Sequence, residues 1–165
     1  MISTGVYATI FLGFMMLAAW SDARDLRISN KLTGMMAASG LAGVGLLDGS
    51  ATALLVAGAT GAATLTIVWV LFEFGWLGGG DVKLAGAAAI WLGPEATLAF
   101  VLATTVFGAV LALALLMLSR WDMILDMVGS HWRTRLTADT ISVPYALAMA
   151  PAGVVAMLAR FPDLF

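Results

Sequence analysis

Residues 78–94 read Gly78-Gly79-Gly80-Asp81-Val82-Lys83-Leu84-Ala85-Gly86-Ala87-Ala88-Ala89-Ile90-Trp91-Leu92-Gly93-Pro94. How the apolar part of this stretch lies decides how the rest of the chain is threaded. Only 11 residues, Leu84 to Pro94, are free of charge. They make about 17 Å of helix at ~1.5 Å per residue, whereas ~30 Å of hydrocarbon takes about 20 helical residues. Either the run re-enters on the side it left, or it crosses by drawing Gly80, Asp81 and their neighbours into the membrane boundary.

The neighbouring runs set the context. Uncharged stretches also occupy Met1–Ser21, Leu32–Leu47, Gly49–Phe72, Ala96–Ser119 and Thr140–Ala159. All but Leu32–Leu47, which must draw on its flanks, are long enough to span. Basic residues choose between the two threadings. With six crossings, Arg24, Arg27, Lys31, Lys83, Arg120, Arg133 and Arg135 share one side and Arg160 alone takes the other, seven against one. A re-entrant fourth run would make it five against three. The positive-inside rule therefore predicts six crossings with both termini outside and both charged motifs on the cytoplasmic face. The expected fold is an all-α integral membrane protein of about six transmembrane helices in one compact bundle, a single domain over 1–165.

Composition agrees with that class. Of 165 residues 62% are hydrophobic and 11% charged, and mean hydropathy is +1.01, whereas soluble domains carry about 25% charged residues. There is no cysteine and one histidine, His131. This excludes disulfides, a thiol nucleophile and a thiolate zinc site, and disfavours a serine–histidine triad. The uncharged start lacks the basic region of a secretory signal and reads as the first membrane helix. The 18 glycines read mainly as small-residue packing between membrane helices. Between Arg120 and Asp139, Trp121, Ile124, Met127, Val128 and Trp132 can share one face of an interfacial helix, and His131 reads as a solvated residue there.

Two acids stand out. Asp81 follows three glycines, which leave a backbone free for positive φ or for close approach to another chain. It also suits a helix cap. Asp22 lies at the end of the first run in Ser21-Asp22-Ala23-Arg24-Asp25-Leu26-Arg27, where an interfacial charge cluster is the simpler account. Asp25 has an equal claim by chemistry. Acids at a bilayer edge are costly to keep and mark functional sites.

In order along the chain, Asp22-x5-Ile28-Ser29-Asn30, Gly78-x-Gly80-Asp81-x-Lys83 and Val143-Pro144-Tyr145-Ala146 resemble the motifs of type IV prepilin peptidases. The likeness is to the small branch serving Flp/Tad-type pili, related to archaeal preflagellin peptidases. The resemblance implies an aspartic-type peptidase with Asp22 and Asp81 as its catalytic pair, and Gly78, Gly80, Lys83, Asn30, Asp25 and Glu73 are candidates for substrate binding or support. It implies no metal and no cofactor. By the resemblance, the expected partners are a prepilin with a basic cytoplasmic leader and a hydrophobic helix, cut just after a glycine at the membrane boundary, with membrane lipid and pilus assembly machinery and no nucleic acid. The expected place is the bacterial cytoplasmic (inner) membrane, with the active site facing the cytoplasm. Ser29 stands where the family usually has proline, and serine can cap the second helix instead. The cysteine-rich loop of the larger, methylating members is missing, which implies cleavage without N-methylation.

Two carboxylates sharing one proton can hydrolyse an amide, because like charges at close range do not both ionise comfortably. Helix dipoles assign the base to Asp81, which begins a helix, and the acid to Asp22, which ends one. Lys83 either favours a charged Asp81 or serves as a topology anchor. Glu73, at the end of the third run, is expected near the same cavity. Two other classes compete: a small proton-coupled carrier component using Glu73, Asp22 and Asp81 as a relay, and a non-catalytic pilus assembly factor.

Overall fold

A computed structural model describes residues 4–118 and 144–164. Five α-helices carry these residues: α1 (Thr4–Asp25), α2 (Asn30–Leu47), α3 (Ala51–Glu73), α4 (Gly79–Leu118) and α5 (Ala146–Arg160), with a 3-10 turn at Pro162–Leu164. There is no strand among the described residues. Helices satisfy every internal backbone polar group within the segment, as hydrocarbon requires. α1, α3 and α4 are each long and apolar enough to cross a membrane, and large apolar side chains such as Met16, Leu55, Ile67 and Met117 face outward. The chain is an all-α membrane protein.

Six separate spans, however, are not what the helices give. Three meet the requirement of length and hydropathy. α5 has only 15 residues, α2 opens on polar Asn30-Lys31, and the fourth and fifth apolar runs are joined in the 40 residues of α4. The expected interfacial helix with His131, and Val143 of the late motif, lie outside the described residues.

α4 is broken at Gly93, whose φ of 68° and ψ of 176° no helix contains. Glycine adopts that conformation without a Cβ penalty, and Pro94 supplies no N–H to continue the ladder. Thr97 Oγ1 donates to the Gly93 carbonyl at 2.6 Å and fastens the new start. The two arms fold back on one another, since Asp81 and Ala112 line one cavity. In a straight helix those residues would stand about 46 Å apart at ~1.5 Å per residue. Drawing Gly79 to Lys83 into the helix lengthens the short fourth run to 79–92, or about 21 Å.

Trp91 fixes this first arm in the core. Its ring is 1% exposed, its Nε1–H donates to the Met36 carbonyl of α2 at 2.7 Å, and its own carbonyl accepts from Tyr7 Oη of α1 at 2.8 Å. The Tyr7 and Trp91 rings lie 4.6 Å apart between centroids. One residue, through its indole and its carbonyl, thus ties three helices by bonds that lipid could not replace.

Glycines let the helices close around it, as expected. A Cβ on Gly43 would lie 2.6 Å from the Tyr7 ring, and one on Gly61 would strike Ile90 and come within 3.0 Å of the Gly86 carbonyl. Gly61→Val should therefore push α3 from α4 and cost about 1–3 kcal/mol, measured as a lower Tm in detergent. Gly58→Val, whose Cβ meets nothing within 4 Å, should leave Tm near that of the parent.

Candidate active site

The end of α1, the turn into α2, the start of α4 and the start of α5 converge on one side of the molecule. α1 stops where Leu26 turns to φ 50°, its N–H still bonded to the Asp22 carbonyl at 2.9 Å. The left-handed region costs a leucine about 1–2 kcal/mol. Ser21 Oγ donates to the Arg27 carbonyl at 2.7 Å and holds the turn closed. Ser29 then caps α2 by accepting from the Leu32 N–H at 3.2 Å, so the serine in the proline position performs the expected job.

α4 begins at Gly79, which changes the account of the three glycines. None of Gly78, Gly79 and Gly80 has a positive φ, unlike Gly49, Gly75 and Gly93. Gly79 and Gly80 form the first helical turn, and it is space that they provide. A Cβ on Gly80 would sit 3.2 Å from Ile28 Cβ, one on Gly78 3.0 Å from Asp81 Oδ2, and one on Gly79 an ordinary 3.5 Å from Phe72. Asp81, third in the helix, reaches back to accept the Gly78 N–H, the acidic half of a capping box.

The two motifs are joined directly. Buried Ile28 packs on Gly80, and Lys83 Nζ donates to Asn30 Oδ1 at 2.8 Å. The two contacts hold the α1–α2 turn against the head of α4. Between them opens a cleft of about 950 Å³, lined by Asp22, Asp25, Ile28, Asn30, Gly78 and Asp81 among others.

Asp22 and Asp81 both reach this cleft although they are only 6% and 8% exposed, and their carboxylates lie close enough to repel. Their surroundings differ. Asp22 Oδ2 accepts the Ala146 N–H at 3.1 Å, the first helical amide of α5, where Tyr145 offers no side-chain cap of its own. Asp81 Oδ1 is buried with no hydrogen-bond partner among the described residues.

The dipole expectation therefore needs correction. Asp22 ends α1, but the tertiary fold sets it at the positive N-terminus of α5, so the argument that disfavoured charge there fails. Ala146 was not singled out for this contact. The signal was Pro144, which breaks the chain just before a helix whose first N–H groups need acceptors.

The other candidates separate into three groups. Asp25 is exposed and stands at the cleft wall. Lys83 turns to Asn30 and forms no ion pair with Asp81. Glu73 is exposed at the end of α3 and lines neither this cleft nor the cavity behind Asp81, contrary to expectation. Among the described residues no three His, Cys, Asp or Glu side chains gather as a metal site would need.

A family model described as type IV leader peptidase family matches residues 9–113. Neither the curated proteins nor the solved structures provide a match to the chain.

Proposed function

The chain belongs to the type IV leader peptidase family, and from that premise we propose that it is an aspartic-type endopeptidase for Flp-type prepilins. It removes the basic leader just after a glycine and does not methylate the new N-terminus. The observation that carries this reading is the pair of buried carboxylates, Asp22 and Asp81, brought from separate helices to one open cleft.

The chemistry follows from their unequal surroundings. Both acids stand at a helix N-terminus and accept one backbone N–H, which stabilises a carboxylate at either; what separates them is the second oxygen of Asp81, and that leaves Asp22 as the base. The unpartnered Asp81 Oδ1 is the oxygen to hold the shared proton and donate it. Asp22 takes a proton from water as its oxygen adds to the scissile carbonyl carbon. Asp81 hydrogen-bonds the carbonyl oxygen as charge develops there. The C–N bond then breaks, the departing amine receives a proton from the pair, and the acid and the free amine leave. The pair titrates as one unit throughout.

The reading extends to placement. The basic side of the chain faces the cytoplasm, the two arms of α4 cross separately, and six crossings leave both termini outside the bacterial cytoplasmic membrane in a single domain. The cleft then meets a leader on the cytoplasmic side, and Asp25 offers it a negative charge. A carrier relay is less well supported, since Glu73 stands outside the cleft.

The test is direct. Purified protein in nanodiscs, incubated with a synthetic prepilin, should yield by mass spectrometry a leader ending in glycine and an unmethylated product. Metal chelators and thiol reagents should leave the rate unchanged. An intact substrate beside a folded, inserted enzyme would overturn the activity. Chelator inhibition reversed by one added metal would overturn the two-carboxylate chemistry.

A further inference from the structure

Asp81 lines two cavities of opposite character. On one side is the polar cleft. On the other is a groove of about 390 Å³ between α3, both arms of α4 and the head of α5, with Leu71, Trp76, Phe100, Val101 and Met149 in its walls. Its second-arm wall, from Phe100 to Ala112, is about 18 Å long at ~1.5 Å per residue. The groove therefore leads from the reacting carboxylate along the bundle, toward the level of Ala85 and Phe100.

Besides Asp81 Oδ1, one polar atom in these walls has no hydrogen-bond partner among the described residues. Thr60, Thr66, Thr97 and Thr105 each donate to the carbonyl four residues earlier, the usual arrangement for a hydroxyl on an apolar helix. Thr104 Oγ1 is buried without a partner among the described residues, beside a cavity that is otherwise almost wholly apolar. A buried hydroxyl left so is costly unless something arrives to accept its proton.

We propose that this groove is the subsite for the first apolar residues on the C-terminal side of the scissile bond, with Thr104 Oγ1 donating to a backbone carbonyl of that segment. The proposal rests on the peptidase activity assigned to the cleft. A substrate that is basic before the cut and apolar after it changes polarity at the bond that must lie over Asp81, and the enzyme changes polarity at Asp81 as well. The groove is too small for a whole helix, and its volume lies in the range of ordinary ligand pockets. It suits a few side chains of a segment unwound at the cut.

Ala109 lines the groove and is exposed, so a larger side chain there can be accommodated without disturbing the core. Two synthetic peptides in nanodiscs serve as probes, each with a basic leader and a glycine, followed by either phenylalanine and leucine or serine. For the apolar peptide, Ala109→Phe should raise KM at least about tenfold with a smaller change in kcat, the mark of lost binding. Thr104→Val, nearly isosteric, should raise KM by roughly two- to tenfold, the worth of one hydrogen bond. Leu102→Phe, on the outward face at 60% exposure, should match the parent. The serine peptide should be poor for all of them. Unchanged KM in both Ala109→Phe and Thr104→Val, with cleavage intact, would overturn the groove and leave the activity standing.

Binding is read separately from cleavage. The chain has no cysteine, so Ala109→Cys in an Asp22→Asn, Asp81→Asn background can be cross-linked to a cysteine placed just after the glycine of the apolar peptide. Cross-linking there supports the groove even if no peptide is cut. Its absence, as when lipid acyl chains fill the groove, overturns it.

Discussion

Asp22→Asn and Asp81→Asn should each abolish prepilin cleavage, by at least about a thousandfold, in protein that remains folded and inserted. Asparagine keeps the acceptor oxygen, so it can still take the Ala146 N–H at position 22 and the Gly78 N–H at position 81. What it cannot do is exchange the proton that the pair must share. The substitution thus separates catalysis from capping, which is the main structural alternative for both residues. If Asp22 were only a cap for α5, asparagine would leave the activity intact while Asp22→Ala lost about 1 kcal/mol of stability, read as a lower Tm. Since the two acids act together, the double variant should be no slower than either single one. Asp25→Asn is the control, and it should keep most of the activity. Cleavage lost there but kept in Asp22→Asn would transfer the role to Asp25.

Gly80→Val should also remove cleavage, by about a hundredfold or more, the scale expected for a shift of roughly 1 Å in a reacting group. A Cβ at this position already stands 3.2 Å from Ile28 Cβ and 3.4 Å from the Ile28 backbone nitrogen. Branching atoms beyond it have no room, so the α1–α2 turn must move, and Asp22 moves with it relative to Asp81. Gly79→Val should lose much less, because its Cβ makes ordinary contact with Phe72 at the rim. The cause can be checked by relief. Gly80→Ala alone should be impaired, and Ile28→Ala beside it should restore part of the rate by removing Cγ1, which stands 3.4 Å from the added Cβ. Full activity in Gly80→Val would show that the close contact between the motifs is not required. The Asn30–Lys83 bond would then be left to hold the two motifs together.

The α4 head shows how far pattern reading reaches. Three glycines before an acid left positive φ, close approach and a helix cap all open; they form a cap and the first helical turn, with no positive φ, and Gly80 is where Ile28 comes close. Glycine serves two ends, torsional freedom and lack of bulk, and the letters alone do not say which is in use. Gly93 is the reverse case: it reads as part of an apolar run, yet its φ of 68° turns the chain back on itself. Glu73 is a similar case. Sequence places it at a helix end, but only the path of the 74–78 connection decides which way that end faces.

Class and pieces are legible along the chain: apolar runs that cannot stay in water, the charged gaps between them, and the two acid motifs in order. Those are local properties, legible because a bilayer demands long uncharged helices and because the motifs are short and contiguous. The tertiary structure alone decided that Ile28 lies on Gly80, that Asp22 meets the amide of Ala146 124 residues away, and that Asp81 is left with one oxygen unpaired. Those outcomes depend on which helix ends come together. Helix ends are brought together by packing of small residues and by Trp91 across three helices, interactions whose partners are far apart in the chain and carry no mark of each other in it.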